Sequence, residues 1–217
     1  MSKHIPVVKD ILSANDQQAE ENRKLLEANN IFGLNVMASP GAGKTSVIEQ
    51  TIKRLEGELR LAVIEGDLAG SIDAERVEVA GGKAVQINTG GGCHLEAHMI
   101  SNALKQFTLT EIDLLLVENV GNLVCPAGWS LGTHKNVLIA SIPEGDDKPY
   151  KYPGMYRGVD TLIINKIDLL PYVPFDMEYF RHGVEILNPG LATFPLSSIT
   201  GEGVDQWLDW VREYCKH

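Results

Sequence analysis

The octapeptide Ala38–Thr45, ASPGAGKT, follows the apolar run IFGLNVMA and leads into TSVIEQTIKRLEGE. In that second segment Val47, Ile48, Ile52 and Leu55 recur at helical spacing. A turn so poor in side chains, set between a strand and a helix, constrains the fold more than any other feature. It lets backbone N–H groups face inward, and with the helix N-terminus they can surround a polyphosphate. The spacing is that of the phosphate loop G-x-x-x-x-G-K-[ST], with Ala38 standing at the first glycine. Alanine can follow a strand without positive φ, so the loop is expected to form. Pro40, Gly41, Ala42, Gly43 and Ser46 are expected around the nucleotide phosphates. Lys44 would reach the β- and γ-phosphates, and Thr45 would ligate Mg²⁺.

The remaining apolar runs agree with this start. LRLAVIEGD, AVQIN, IDLLLVENV, NVLIASI, DTLIINK and ATFPLS are of strand length, and helical segments alternate with them. Near-continuous apolar strands are what a sheet covered on both faces requires. The order predicts an α/β fold: a doubly wound, mostly parallel sheet flanked by helices, of the P-loop NTPase type. Residues 31–217 are expected to form that P-loop domain. Residues 1–30 are expected to form an N-terminal helical extension, with a helix over 12–29 begun by Ser13 and Asp16. Asp73 is expected to cap the helix in DAERVEVAGG, and CHLEAHMISNALKQF to be helical from its first residue. Residues 123–135 and 143–158 are expected to be long irregular loops of functional importance.

Composition removes several classes of partner. The 217 residues carry a net charge of −10 and no basic run, so nucleic acid is not expected. No apolar stretch is long enough to span a membrane, and MSKHIPVVKDILSAND has no signal-peptide core. Cys93, Cys125 and Cys215 are far apart and odd in number, which fits cytoplasmic thiols.

The segment IINKID suggests the base. Asp168 can accept hydrogen bonds from guanine N1 and N2, a donor pair adenine lacks, with Asn165 and the Lys166 stem supporting the loop and covering the base. Ser197 and Ser198, in SSITGEG, fall where G proteins close over the base; equally, they fit a helix N-cap region. Asp67 ends one strand and is expected to bind Mg²⁺. Glu118 ends another, in ENVG, where it can act through water on Mg²⁺ or on the nucleophile. Gly121 can donate its N–H to a γ-phosphate. Carboxylates at strand ends can also merely cap the next helix.

A second glycine run, GGGCHLEAHM, offers Cys93 and His94, with His98 four residues beyond His94 on the expected helix face. Leu95, Met99, Ile100, Ala103, Leu104 and Phe107 fall on the opposite, core side. A helix N-terminus at Cys93 would favour its thiolate. NVGNLVCPA brings Cys125 four residues after Gly121, and sulfur with imidazole suits Ni²⁺ or Zn²⁺.

Taken in order, ASPGAGKT, IEGD, CHLEAHM, ENVGNLVCPA, EGDDKP, NKIDLL and TGEG resemble the hydrogenase nickel-incorporation GTPases, the HypB family, over about residues 30 to 215. The resemblance implies a GTP-dependent homodimer that delivers nickel to a hydrogenase precursor with other maturation proteins. It implies Cys93, His94 and Cys125 as metal ligands shared across the dimer, with His98 as an extra one. Some members carry an N-terminal cysteine motif or histidine-rich stretch; residues 1–30 here hold only His4 and no cysteine. Other readings of the same residues are an accessory GTPase for another metalloenzyme such as urease, and a metal-binding module in which GTP only drives dimerisation. A P-loop kinase is argued against by Asp168.

Overall fold

The computed structural model describes residues 7–67 and 72–215, with side chains outside the description at 7–11 and 72–75. Seven strands form one sheet: β1 (Phe32–Ala38), β2 (Leu61–Asp67), β3 (Lys83–Asn88), β4 (Leu114–Glu118), β5 (Lys135–Ser141), β6 (Thr161–Asn165) and β7 (Ala192–Pro195). They lie in the order β3-β2-β4-β1-β5-β6-β7, and every adjacent pair is parallel. The doubly wound α/β expectation therefore holds. All seven residues of β1 are buried, because the strand is central and both faces are covered.

The helices are α1 (Val7–Ala28), α2 (Lys44–Leu55), α3 (Ile72–Val79), α4 (Ala97–Leu104), α5 (Lys148–Lys151), α6 (Pro153–Arg157), α7 (Met177–Leu187) and α8 (Val204–Cys215). Side chains alternate across each strand, so consecutive residues feed different cores. Leu34, Val36, Val63 and Leu116 meet α2 and α8 through Ile48, Ile52, Trp207 and Leu208. Ala62, Ile64, Leu115 and Val117 meet Leu26 of α1 and Ile100 and Leu104 of α4. Met37, Leu138 and Leu162 meet Met155 and Tyr156 of α6 and Phe180 of α7. Each such apolar side chain contributes about 1.5–3 kcal/mol on burial. Within the buried α2–α8 seam Trp207 Nε1 donates to Thr51 Oγ1 at 2.9 Å, and at its exposed edge Arg54 pairs with Asp205 at 2.8 Å.

Three local expectations are corrected. α1 is already helical at Val7, so Ser13 and Asp16 lie inside it; its end is as expected, with Asn30 left-handed at φ +55°. Residues 143–158 contain α5 and α6 instead of forming one open loop. α3 begins at Ile72, so Asp73 sits within its first turn; its side chain lies outside the described residues.

The winding direction reverses about β1. Loops after β1 and β4 therefore leave side by side at the carboxyl edge of the sheet, where open α/β folds hold ligands.

Candidate functional site

Residues 39–43 turn from β1 into α2 around a cavity of about 480 Å³. Gly41 (φ +80°) and Gly43 (φ +97°) take left-handed conformations that other residues rarely adopt. Gly43 also has no room for a side chain, since an added Cβ would lie 2.4 Å from Asn165 Nδ2. Pro40, Gly41, Gly43, Lys44, Thr45 and Ser46 all line the cavity, as do Asp67, Glu118 and Gly121 from the ends of β2 and β4. Ala42 is fully buried beneath the turn. Thr45 Oγ1 donates to Glu118 Oε1 at 2.9 Å, so the helix start and the end of β4 are joined at the cavity floor. Arg76, which the motifs did not single out, reaches the rim and pairs with Glu49 at 2.8 Å.

The N-K-x-D loop is fastened to this turn. Asn165 is fully buried; its Nδ2 donates to the Ala42 carbonyl, and its Oδ1 accepts from Lys166 N and Ser198 N. Lys166 is left-handed (φ +64°), and its Nζ donates to the Gly41 carbonyl at 2.6 Å. A lysine held at positive φ is strain that the surrounding contacts maintain. Asp168 Oδ1 is buried with no hydrogen-bond partner among the described residues. Such an atom is costly unless something donates to it. Ser197 Oγ accepts from the N–H groups of Ile199 and Thr200, so Ser197 closes a turn; it does not cap a helix, since α8 starts only at Val204. Glu144, in the EGDDKP segment, accepts from Ser39 Oγ and Ser141 Oγ and so ties β5 to the phosphate-type turn.

Gly121 packs directly on this turn. A Cβ there would stand 3.1–3.2 Å from Pro40, closer than nearly all real contacts. Four residues on, Cys125 meets Cys93 and His94: one ligand atom from each lies within 4.8 Å of the others. Cys93 Sγ is 3.5 Å from His94 Nδ1. The His94 ring packs tilted by 30° against Trp129 with centroids 4.5 Å apart; its buried Nε2 has no hydrogen-bond partner among the described residues, with Glu96 Oε1 4.0 Å away. Hydrogen bonding with Cys125 pushes the Cys93 thiol up from its ordinary value, and partial desolvation and the Cys125 charge add to this. The helix N-terminus expected to stabilise a Cys93 thiolate does not lie at that residue.

The reason is that α4 starts late. In a helix the Cys93 carbonyl would accept from Ala97 N–H. Here Asn122 Nδ2 donates to that carbonyl at 3.3 Å, while Ala97 N–H goes to Asn15 Oδ1 at 2.8 Å. Glu96 is extended (φ −117°, ψ 157°), and the helix begins only after it. His94 and His98 therefore do not share a helix face. His98 is 58% exposed and turns to Glu96, at 3.3 Å, outside the three-residue cluster. The core side is as expected: Leu95, Ile100, Ala103 and Leu104 are buried, with Met99 and Phe107 packed beside them.

Sequence reasoning missed the amides that hold these loops. Asn119 (1% exposed) accepts from Leu95 N and Val120 N through Oδ1 and donates to Asn35. Asn15 and Asn22 of α1 bridge from behind: Asn15 binds Ala97 N and the Ser130 carbonyl, Asn22 the Ala97 and Leu131 carbonyls. The available signal was an amide placed in or directly after an apolar run, as at Asn35 and Asn119, where burial demands a partner. Among the described residues no helix is long and apolar enough to cross a membrane.

The family model "CobW/HypB/UreG, nucleotide-binding domain" matches residues 33–195. A hydrogenase maturation factor HypB from Rhizobium leguminosarum bv. viciae is 46% identical over 95% of this chain and 69% of its own length. The crystal structure of the hydrogenase maturation factor HypB from Archaeoglobus fulgidus superposes with a TM-score of 0.89 at 39% identity, covering 94% of this chain and all of that one. HypB from Helicobacter pylori in complex with nickel superposes with a TM-score of 0.88 at 37% identity, covering 94% of this chain and 95% of that one.

Proposed function

The chain belongs to the HypB hydrogenase maturation factors of the CobW/HypB/UreG nucleotide-binding family, and on that premise we propose that it is a GTP-hydrolysing metallochaperone. It couples nucleotide state and dimerisation to the binding of nickel, or zinc, and delivers nickel during hydrogenase maturation. One observation carries the reading: Gly121 lies on the phosphate-type turn, and the same short loop bears Cys125 of the Cys93–His94–Cys125 cluster. The solved HypB–nickel complex supports nickel as the cargo.

Guanine recognition falls to Asp168, whose buried Oδ1 would accept from the base. Lys166 and Asn165 hold that loop against the P-loop, and Ser197 and Ser198 flank it. Lys44 and the backbone N–H groups of residues 41–46 bind the β- and γ-phosphates, and Gly121 reads the γ-phosphate. Thr45, Asp67 and Glu118 form an all-oxygen donor set at the cavity, which fits Mg²⁺. Thr45 and Asp67 would hold that ion, which would supply neutralisation of phosphate charge. Glu118 holds the Thr45 hydroxyl in place. The reaction is phosphoryl transfer to water, so these residues work by positioning and electrostatics.

The metal ligands are Cys93, His94 and Cys125, with His98 available only if Glu96 releases it. A twofold dimer would add the same three from the second copy. The domain of residues 31–217 carries both sites, with residues 1–30 as a helical extension, and the work is cytoplasmic, where thiols stay reduced. The test measures GTP turnover with Mg²⁺, and nickel affinity with GDP and with a non-hydrolysable GTP analogue, alongside sedimentation. Turnover, a dimer with the analogue and unequal nickel affinities are expected. Absence of turnover sinks the hydrolase, and equal affinities sink the coupling.

A further inference from the structure

Two asparagines flank Gly121, and each grips the peptide backbone on one side of His94. Asn122 Nδ2 donates to the Cys93 carbonyl at 3.3 Å. Asn119 Oδ1 accepts from Leu95 N–H at 3.0 Å. The segment that carries a sulfur and an imidazole ligand is thus held at both ends by the loop that carries Gly121. The same two residues fix that loop to β1: Asn119 N–H donates to the Val36 carbonyl and Asn122 N–H to the Ala38 carbonyl, each at 2.9 Å. Asn122 has a third duty. Its Oδ1 accepts from Val124 N–H at 2.8 Å and from Cys125 N–H at 3.4 Å, which shapes the turn that presents Cys125.

We propose that Asn122, seconded by Asn119, is the positioning link through which the γ-phosphate loop sets the separation of Cys93 and Cys125. Resting on the coupled-site reading above, it names the atoms that carry the coupling. Any displacement of Gly121 moves Asn122, the next residue. Asn122 has one amide face on the Cys125 turn and the other on the Cys93 carbonyl. Both thiols therefore feel a change that neither loop would transmit alone. Asn119 acts differently: it is buried and braced by Asn35, whose Nδ2 donates to Asn136 Oδ1 at 3.0 Å. It anchors the Leu95 side while Asn122 moves the Cys93 side, so His94 is the pivot between them. The Trp129 ring, packed tilted against His94, supports that pivot.

The two halves of Asn122 can be separated chemically. Asn122→Asp keeps an acceptor for Val124 and Cys125 N–H, so the turn persists, but it replaces the donor to Cys93 with a repelling carboxylate oxygen. The experiment titrates Ni²⁺ alone into wild type and Asn122→Asp, each with GDP and with a non-hydrolysable GTP analogue, by calorimetry. The readout is the ratio of the two nickel affinities. A merely structural defect, or the added charge, shifts both affinities and leaves the ratio. In the wild type the ratio is expected within the roughly 5–150-fold range usual for coupled sites, and in Asn122→Asp it is expected to fall to about 1. The reciprocal effect of Ni²⁺ on analogue affinity must fall equally. If Asn122→Asp does not fold, Asn122→Ser serves, since its hydroxyl can still accept within the turn while losing the reach to Cys93. A wild type that couples beside a variant that couples as strongly overturns the link alone. A wild type with a ratio of 1 overturns both the coupled reading and the link.

Discussion

At the nucleotide cavity the turn after β1 presents backbone, and side chains are kept off its two left-handed positions. Gly41 and Gly43 are left-handed, and Gly43 touches Asn165 so closely that no Cβ fits. At the cysteine–histidine cluster the reverse holds. The cluster is made of side chains from two loops, and the backbone of those loops is held by other side chains: Asn15, Asn22, Asn119 and Asn122. The first region takes its shape from its own glycines, although Asn165 and Lys166 fasten it from afar, whereas the second takes its shape from long-range amides. A backbone cradle tolerates no change of shape, whereas a side-chain cluster can open and close as its tethers move. That contrast is what a protein needs if one site is to stay fixed while the other responds.

Four changes sharpen or break this comparison, from the largest effect to the smallest. Lys44→Ala should lower GTP turnover by about 10²–10³-fold, the usual cost of removing a positioned transition-state charge. Nickel binding in the absence of nucleotide should persist, because Lys44 is no part of the cluster; loss of both in a folded variant would mean the regions are not separable. Asp168→Asn should cost GTP roughly 1–3 kcal/mol of binding, about 5–150-fold, with xanthosine triphosphate gaining in competition. Unchanged preference would remove Asp168 from base recognition. Asn15→Ala should lower stability by about 1–3 kcal/mol, since it strands Ala97 N–H and the Ser130 carbonyl, and urea midpoints report this. Its effect on nickel affinity should exceed its effect on GTP affinity. Cys215→Ser should leave nickel stoichiometry unchanged. Burial, helped by the Asp113 charge, pushes the Cys215 thiol up to about 11, so its thiolate is scarce at neutral pH and its alkylation should accelerate only as pH approaches that value. Labelling at Cys215 that is already fast near neutral pH would contradict this.

Legibility in the sequence divides along the same line. The strands and the phosphate turn were readable because apolar runs and glycine spacing act within a few residues. The cluster's three members were readable as residue types, but the path between them was not. The segment CHLEAHM has helical composition, and nothing local stops a helix at Cys93. Two distant asparagines do so, by taking the carbonyl and the N–H that would have paired with each other. The early start of α1 escaped for a related reason: Ser13 and Asp16 look like caps, yet no breaker precedes them to prevent the helix from running back to Val7.

The bridges made by α1 also order events in time. Asn15 pairs with Ser130 across 115 residues of chain, and Asn22 with Leu131 across 109. Contacts of such span carry a closure entropy that must be offset by structure already in place. α1 therefore cannot complete these bridges until the chain has been made as far as Leu131. The cluster loops, which that helix holds from behind, come into register only then. Assembly of the cluster becomes a late milestone of folding, reached after the phosphate-type turn, whose partners β1 and α2 adjoin in sequence, has had time to form.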